Sequence, residues 1–201
     1  MNFYNPNNRN TSNKWNNLMF GNARGNQNQS NETNGADITA IAGNWIEAVG
    51  TILTAIGSTP STFFTEQTLT DFNLIGNILE AGGSAIAAES EDALLDRVGD
   101  QIQAIGNLTV VAGILSNNEQ AGQLLENQGN LLQIVGVGIT INTQGKLTLL
   151  QTIANTGNII QLIGNVMQVF ADTDTREGVI TNAVGAWTQA VGAVITALAS
   201  D

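Results

Sequence analysis

From about residue 37 onward, apolar residues recur at helical spacing between short polar or glycine-bearing breaks. Ile159, Ile160, Leu162, Ile163, Val166 and Met167 show the pattern within one stretch. Breaks fall near Gly57–Ser61, Glu89–Ser90, Ser116–Asn118, Asn142–Gly145 and Asp172–Asp174. Start signals accompany them: Asp37 before the first apolar run, Ser90-Glu91-Asp92, and Thr173-Asp174 with Glu177. The pattern predicts helices over about 37–56, 67–88, 92–115, 119–141, 146–171 and 175–199. Val135–Ile141 is rich in residues that favour strands, but the helix-length runs outweigh it. Short connections favour antiparallel neighbours. The expected fold class is all-α: six antiparallel helices, as a bundle or a short array of helical hairpins, in a domain over 37–201.

Residues 1–36 have no such periodicity. Thirteen of the first 34 residues are Asn, whose amide competes for nearby backbone groups and disfavours helix. Nothing apolar offsets the entropy of ordering, so a disordered, Asn-rich tail is expected. Met1–Phe20 lacks the roughly 7–15-residue apolar stretch of a secretory signal. The expectation is synthesis in the cytoplasm.

The helical part repeats. Aligned on Gly-Asn dipeptides, it shows a unit Gly-Asn-x-x-(Gln/Glu)-x-x-Gly, starting at Gly43, Gly76, Gly106, Gly129, Gly157 and Gly185. Each copy has a second glycine seven residues on: Gly50, Gly83, Gly113, Gly136, Gly164 and Gly192. Asn44, Asn77, Asn107, Asn130 and Asn158 follow the first glycine in five copies, and Ala186 in the sixth. The fifth position holds Glu47, Glu80, Gln133, Gln161 and Gln189, with Val110 in the third copy. Internal duplication accounts for this register, with one helix per copy.

On a helical wheel turning about 100° per residue, the glycines, the amide or acid and the Asn share one face. Trp45, Ile46, Ala48 and Val49 in the first copy, and Ile159, Ile160, Leu162 and Ile163 in the fifth, form the opposite apolar face. In water the apolar face is expected to build a shared core. The glycine face is harder to explain. Each exposed helical glycine costs roughly 0.8–1.0 kcal/mol against Ala, so twelve imply a penalty on the order of 10 kcal/mol. Three readings compete: a close-contact surface, within the bundle or between molecules; an inside-out protein with apolar faces toward lipid; and relics of duplication. The first is favoured, with lateral contact between copies through the twelve glycines and five asparagines.

The membrane alternative has support in Leu147–Ala171 and Gly178–Ser200, which are free of charge and long enough to span. Against it stand six amides in the first segment, Gln151, Asn155, Asn158, Gln161, Asn165 and Gln168. The mean hydropathy of +0.04 is low, and the connections give no positive-inside signal.

Charge and composition narrow the chemistry. The 201 residues include 22 Gly and 26 Asn, no Cys and no His, and carry a net charge of −11. Disulfide frameworks, His- or Cys-based metal sites and His-dependent triads are excluded. Arg9, Lys14 and Arg24 against Glu32 give the tail +2, while the rest carries 16 acids against Arg97, Lys146 and Arg176. So acidic a domain repels nucleic acid.

Glu47 and Glu80 stand at equivalent positions, where the other copies hold Gln or Val, and read as a polar stripe rather than a carboxylate pair. Glu89, Glu91, Asp92, Asp96 and Asp100 read as a solvated helix start. Trp45 and Trp187 read as core packing. No catalytic residue, cofactor or metal is expected. A ligand-binding helical cavity has no supporting residues; a pocket lined by amides of several units would be its signature.

The stretches AGNWIEAVGTILTAIG (Ala42–Gly57), IGNILEAGGSAIAA (Ile75–Ala88) and TGNIIQLIGNVMQVF (Thr156–Phe170) resemble a little-characterised family of repetitive proteins of spore-forming Gram-positive bacteria. The tail also resembles those of spore-coat or exosporium-type proteins. The resemblance implies a structural or surface role. The expected function is therefore non-enzymatic self-assembly in a spore or cell-surface layer, with a second copy as partner.

Overall fold

A computed structural model describes residues 38–91, 93–142 and 145–200. Among them are six helices and no strand. Helix α1 spans Ile38–Gly57. The others are α2 (Glu66–Ser90), α3 (Leu94–Ile114), α4 (Glu119–Thr140), α5 (Leu149–Val169) and α6 (Arg176–Leu198). The tail expected over 1–36, the Asp37 cap and Asp92 lie outside the described residues.

Local chemistry sets the helix ends. Thr65 caps α2 by accepting from the Thr68 N–H at 3.2 Å, and Asn118 caps α4 by accepting from Ala121 at 3.0 Å. Helix α5 starts three residues later than the pattern predicts. Thr148 and Gln151 form a reciprocal capping box there, and Gly145, at φ 73°, turns the chain before it. Helix α6 is capped by Thr175 rather than by Thr173-Asp174. Ser90 ends α2 instead of opening α3, its hydroxyl donating to the Ala87 carbonyl at 2.8 Å.

Sequence neighbours pack antiparallel. Contacts join α2 to α3, α3 to α4, α4 to α5 and α5 to α6. Gly43 and Gly50 of α1 meet Gly83 and Gly76 of α2. The ring closes where Ala48 packs on Ala193 and Ala197 of α6, and Ala55 on Ala186 and Ala190. Asn44 also donates to the Ser200 hydroxyl at 2.7 Å.

What lies inside this ring overturns the expected core. The buried apolar residues are eleven alanines plus Val110 and Val137; no Leu, Ile, Phe, Met or Trp is among them. Buried alongside are Glu47, Glu80, Asn77, Asn107, Asn165 and five glutamines. Glu80, 1% exposed, is the largest fully buried side chain. The large apolar residues face outward, the reverse of an ordinary water-soluble domain.

Candidate functional site

The glycines make the inverted interior possible. Seven antiparallel pairs face each other: 43 with 83, 50 with 76, 99 with 136, 106 with 129, 113 with 122, 157 with 192, and 164 with 185. A Cβ added at any of the fourteen would lie 2.5–2.9 Å from the partner glycine's carbonyl oxygen. Only glycine admits so close a backbone approach. All twelve register glycines thus meet a neighbouring helix of the same chain. The lateral contact between copies expected of them is corrected on that ground, because the face is already covered. Gly99 and Gly122 belong to the same set but were not anticipated. Each lies seven residues before the first glycine of its unit, so the signal was the same step carried one turn-pair further.

The amides and acids between the glycines bond across the pairs. Within α1 and α2, the Ser84 hydroxyl donates to Glu47 Oε2 at 3.0 Å, and the Thr54 hydroxyl to Glu80 Oε1 at 2.7 Å. Between α3 and α4, Gln133 Nε2 donates to Asn107 Oδ1 at 2.8 Å. Between α5 and α6, Gln168 Nε2 donates to Gln189 Oε1 at 2.8 Å, and Thr196 to Asn158 Oδ1 at 3.1 Å. Gln189 then joins the three hairpins, donating from Nε2 to Glu80 Oε2 and to Gln133 Oε1, both at 3.1 Å. Thr54, Glu80, Asn107, Gln133, Gln168 and Gln189 form one network with a member on each helix.

The asparagines play unequal parts. Asn107 belongs to that network, whereas Asn44 and Asn158 bond near one end of the bundle. Asn77 caps a backbone carbonyl of its own helix, Asn73, at 2.9 Å, and Asn130 is half-buried. Asn165, 1% exposed, has neither side-chain polar atom paired.

The outer surface follows the same register. The third residue of each unit is Trp45, Ile78, Leu108, Leu131, Ile159 and Trp187, and all six are 40–54% exposed. Val49, Val135, Ile163 and Val191, four residues further on, are also exposed. The two tryptophans are therefore surface residues, not core packing, and Trp187 Nε1 donates to Thr59 at 2.9 Å. Charged side chains are absent from this outward belt. Of the acids further inside the helices, Glu47 and Glu80 are buried and Asp100 and Glu126 half-buried.

At the end where α1, α3 and α5 begin, the tight interior opens into a cavity of about 300 Å³. Its lining comes from α1, α3, α4, α5 and α6 and from the segment after α2. Glu47, Gln103 and Gln161 are buried, whereas Asn142 and Gln151 lie at an exposed rim. Asp96 and Asp100 line it as well, so part of the acidic cluster read as a solvated helix start is turned inward. No set of three or more His, Cys, Asp or Glu among the described residues is arranged to hold a metal ion.

Helices α1 and α6 are each long and apolar enough to cross a membrane. No curated protein and no solved structure matches the chain. Residues 38–197, the whole of the glycine-paired ring, match the model of a family of unknown function, DUF6944, and the chain belongs to that family.

Proposed function

We propose that this protein is a non-enzymatic, membrane-embedded helical protein whose apolar faces meet lipid and whose glycine and amide faces pack inside. The observation that carries the reading is the inversion itself. A belt of Trp, Ile, Leu and Val runs round all six helices, while Glu80 and five glutamines are buried. In water such a belt is an unfavourable exposed patch, and in a bilayer it is the required exterior. The helices of 20 to 25 residues suit a hydrocarbon core of about 30 Å.

The amides that weighed against this reading now support it. Of the six in the α5 region, Gln161, Asn165 and Gln168 are buried and Asn155 and Asn158 half-buried. Only Gln151, in the first turn, is exposed. An average over the sequence counts interior amides as if lipid met them. The glycine pairing follows the small-residue packing of membrane helices, where no hydrophobic force draws helices together.

One outer face differs. Helix α4 exposes Gln123, Asn127 and Gln128. That polar strip favours contact with a second copy within the membrane, which keeps self-association as part of the proposal. The sixfold recurrence of the unit supports descent from a duplicated hairpin. The resemblance to proteins of spore-forming bacteria supports a spore or cell envelope as the location.

Trp45 and Trp187 supply the test. In a Trp15→Phe variant they are the only tryptophans left. Reconstituted into vesicles carrying brominated acyl chains, their fluorescence should be strongly quenched. The same emission with brominated and unbrominated lipid, together with recovery of the protein from cells without detergent, would overturn the reading.

A further inference from the structure

We propose that the cavity where α1, α3 and α5 begin binds a small organic cation bearing primary ammonium groups. This goes beyond the membrane reading and does not rest on it, since the cavity is lined by the inner faces and ends of the helices rather than by the outward apolar belt.

The lining is rich in carboxyl and amide oxygens. Among the described residues, Glu47 receives one side-chain hydrogen bond, from Ser84 to Oε2. Among the same residues Asp100 receives one, from Gln103 Nε2 to Oδ1 at 3.1 Å. The amide nitrogens of Gln103 and Gln161 are engaged with Asp100 and Thr196, and among the described residues no donor reaches their side-chain oxygens. Glu47, Gln103 and Gln161 are each more than nine-tenths buried, and the part of each that stays open lines the cavity. Leaving buried acceptors unpaired is costly, and leaving a carboxylate without counter-charge is costlier.

Three features select the ligand. Among the described residues no Lys or Arg lines the cavity, and burial pushes the Glu47 carboxyl up to about 7 and that of Asp100 up to about 8; an ammonium ion there would favour their charged forms. A metal ion is a poor match, because no set of carboxylates is gathered as calcium or magnesium would need. An ammonium instead offers three N–H donors, which suits scattered carboxyl and amide oxygens. The volume of about 300 Å³ is that of a small-molecule pocket and several times the roughly 30 Å³ share of one water. With Glu47 on α1 and Asp96 and Asp100 on α3, acids stand on two helices, which favours an ammonium at each end of a short chain.

Titration calorimetry of the full-length protein in detergent, at low ionic strength, tests this with 1,4-diaminobutane. The uncharged 1,4-butanediol, sodium ion and calcium ion serve as comparators. Saturable diamine binding is expected, weakened roughly tenfold or more in Glu47→Gln and in Asp100→Asn. It should be unchanged in Glu89→Gln, an exposed acid outside the cavity. Circular dichroism shows whether each variant keeps its helices. If one does not, a diamine-dependent rise in the melting temperature of the parent, absent with the diol, carries the test. No diamine binding and no such rise, equal binding of diol or either metal ion, or full affinity in folded Glu47→Gln and Asp100→Asn would each overturn the proposal.

Discussion

Gly82 and Gly83 are adjacent on α2, yet a methyl group added to each meets different surroundings. At Gly82 nothing lies within 4 Å. At Gly83 the new carbon would lie 2.5 Å from the Glu47 amide nitrogen and 2.6 Å from the Gly43 carbonyl oxygen. Gly82→Ala should therefore gain the helix-propensity difference, about 0.8–1.0 kcal/mol. Gly83→Ala gains the same propensity but forces α1 away, and should lose about 1–3 kcal/mol net. Unfolding of the two variants beside the parent measures both, and equal effects would contradict the close approach. The heptad of glycines was legible from spacing, since seven residues are nearly two helical turns. Two of its members, Gly99 and Gly122, lie outside the repeated unit, because its Gly-Asn dipeptide marks only the two later glycines of those helices.

At the scale of the helices, the number, order and antiparallel sense were readable from periodicity and short connections, and the caps less so. Ser90 and Asp172–Asp174 are good capping residues by type. Only the chain's path decided that Ser90 closes α2 and that Thr175 opens α6. The polar network was out of reach for the same reason: the unit shows that Gln189 and Glu80 are equivalent, not that they touch. Gln189 is its hub, donating to α2 and α4 and accepting from α5. Gln189→Glu keeps the shape, removes both donors and sets a second acid against Glu80. We expect it to cost more than about 3 kcal/mol, since each unpaired buried group costs about 1–3 kcal/mol. Gln133→Glu removes one donor, to Asn107, and should cost less. Thermal melts of both variants, read against helix content at low temperature, give the ranking; a harmless Gln189→Glu would remove the network as a link between hairpins.

For the whole molecule, the sequence showed two faces on every helix but could not say which one is inside. A helical wheel gives the direction of polarity, and its sign depends on the solvent. Assuming water puts Trp45, Leu108 and Ile159 in the core; the fold places them outside and Glu80 within. A charge placed on that exterior separates the two solvents. In water, Ile159→Lys would be an ordinary surface change within about 0.5 kcal/mol. In a bilayer, Lys near a helix centre costs roughly 2.5–3.5 kcal/mol, and Leu108→Lys with Ile159→Lys roughly twice that. Gln151→Lys, exposed in the first turn of α5, would reach the interface with its long side chain and cost only the capping-box bond from the Thr148 N–H, about 1 kcal/mol. The double variant should therefore lose most of its membrane-inserted fraction, measured by resistance to alkaline extraction, while Gln151→Lys keeps it. Equal extraction of both would mean that the apolar belt faces protein rather than lipid, leaving a second copy of the chain as what covers it.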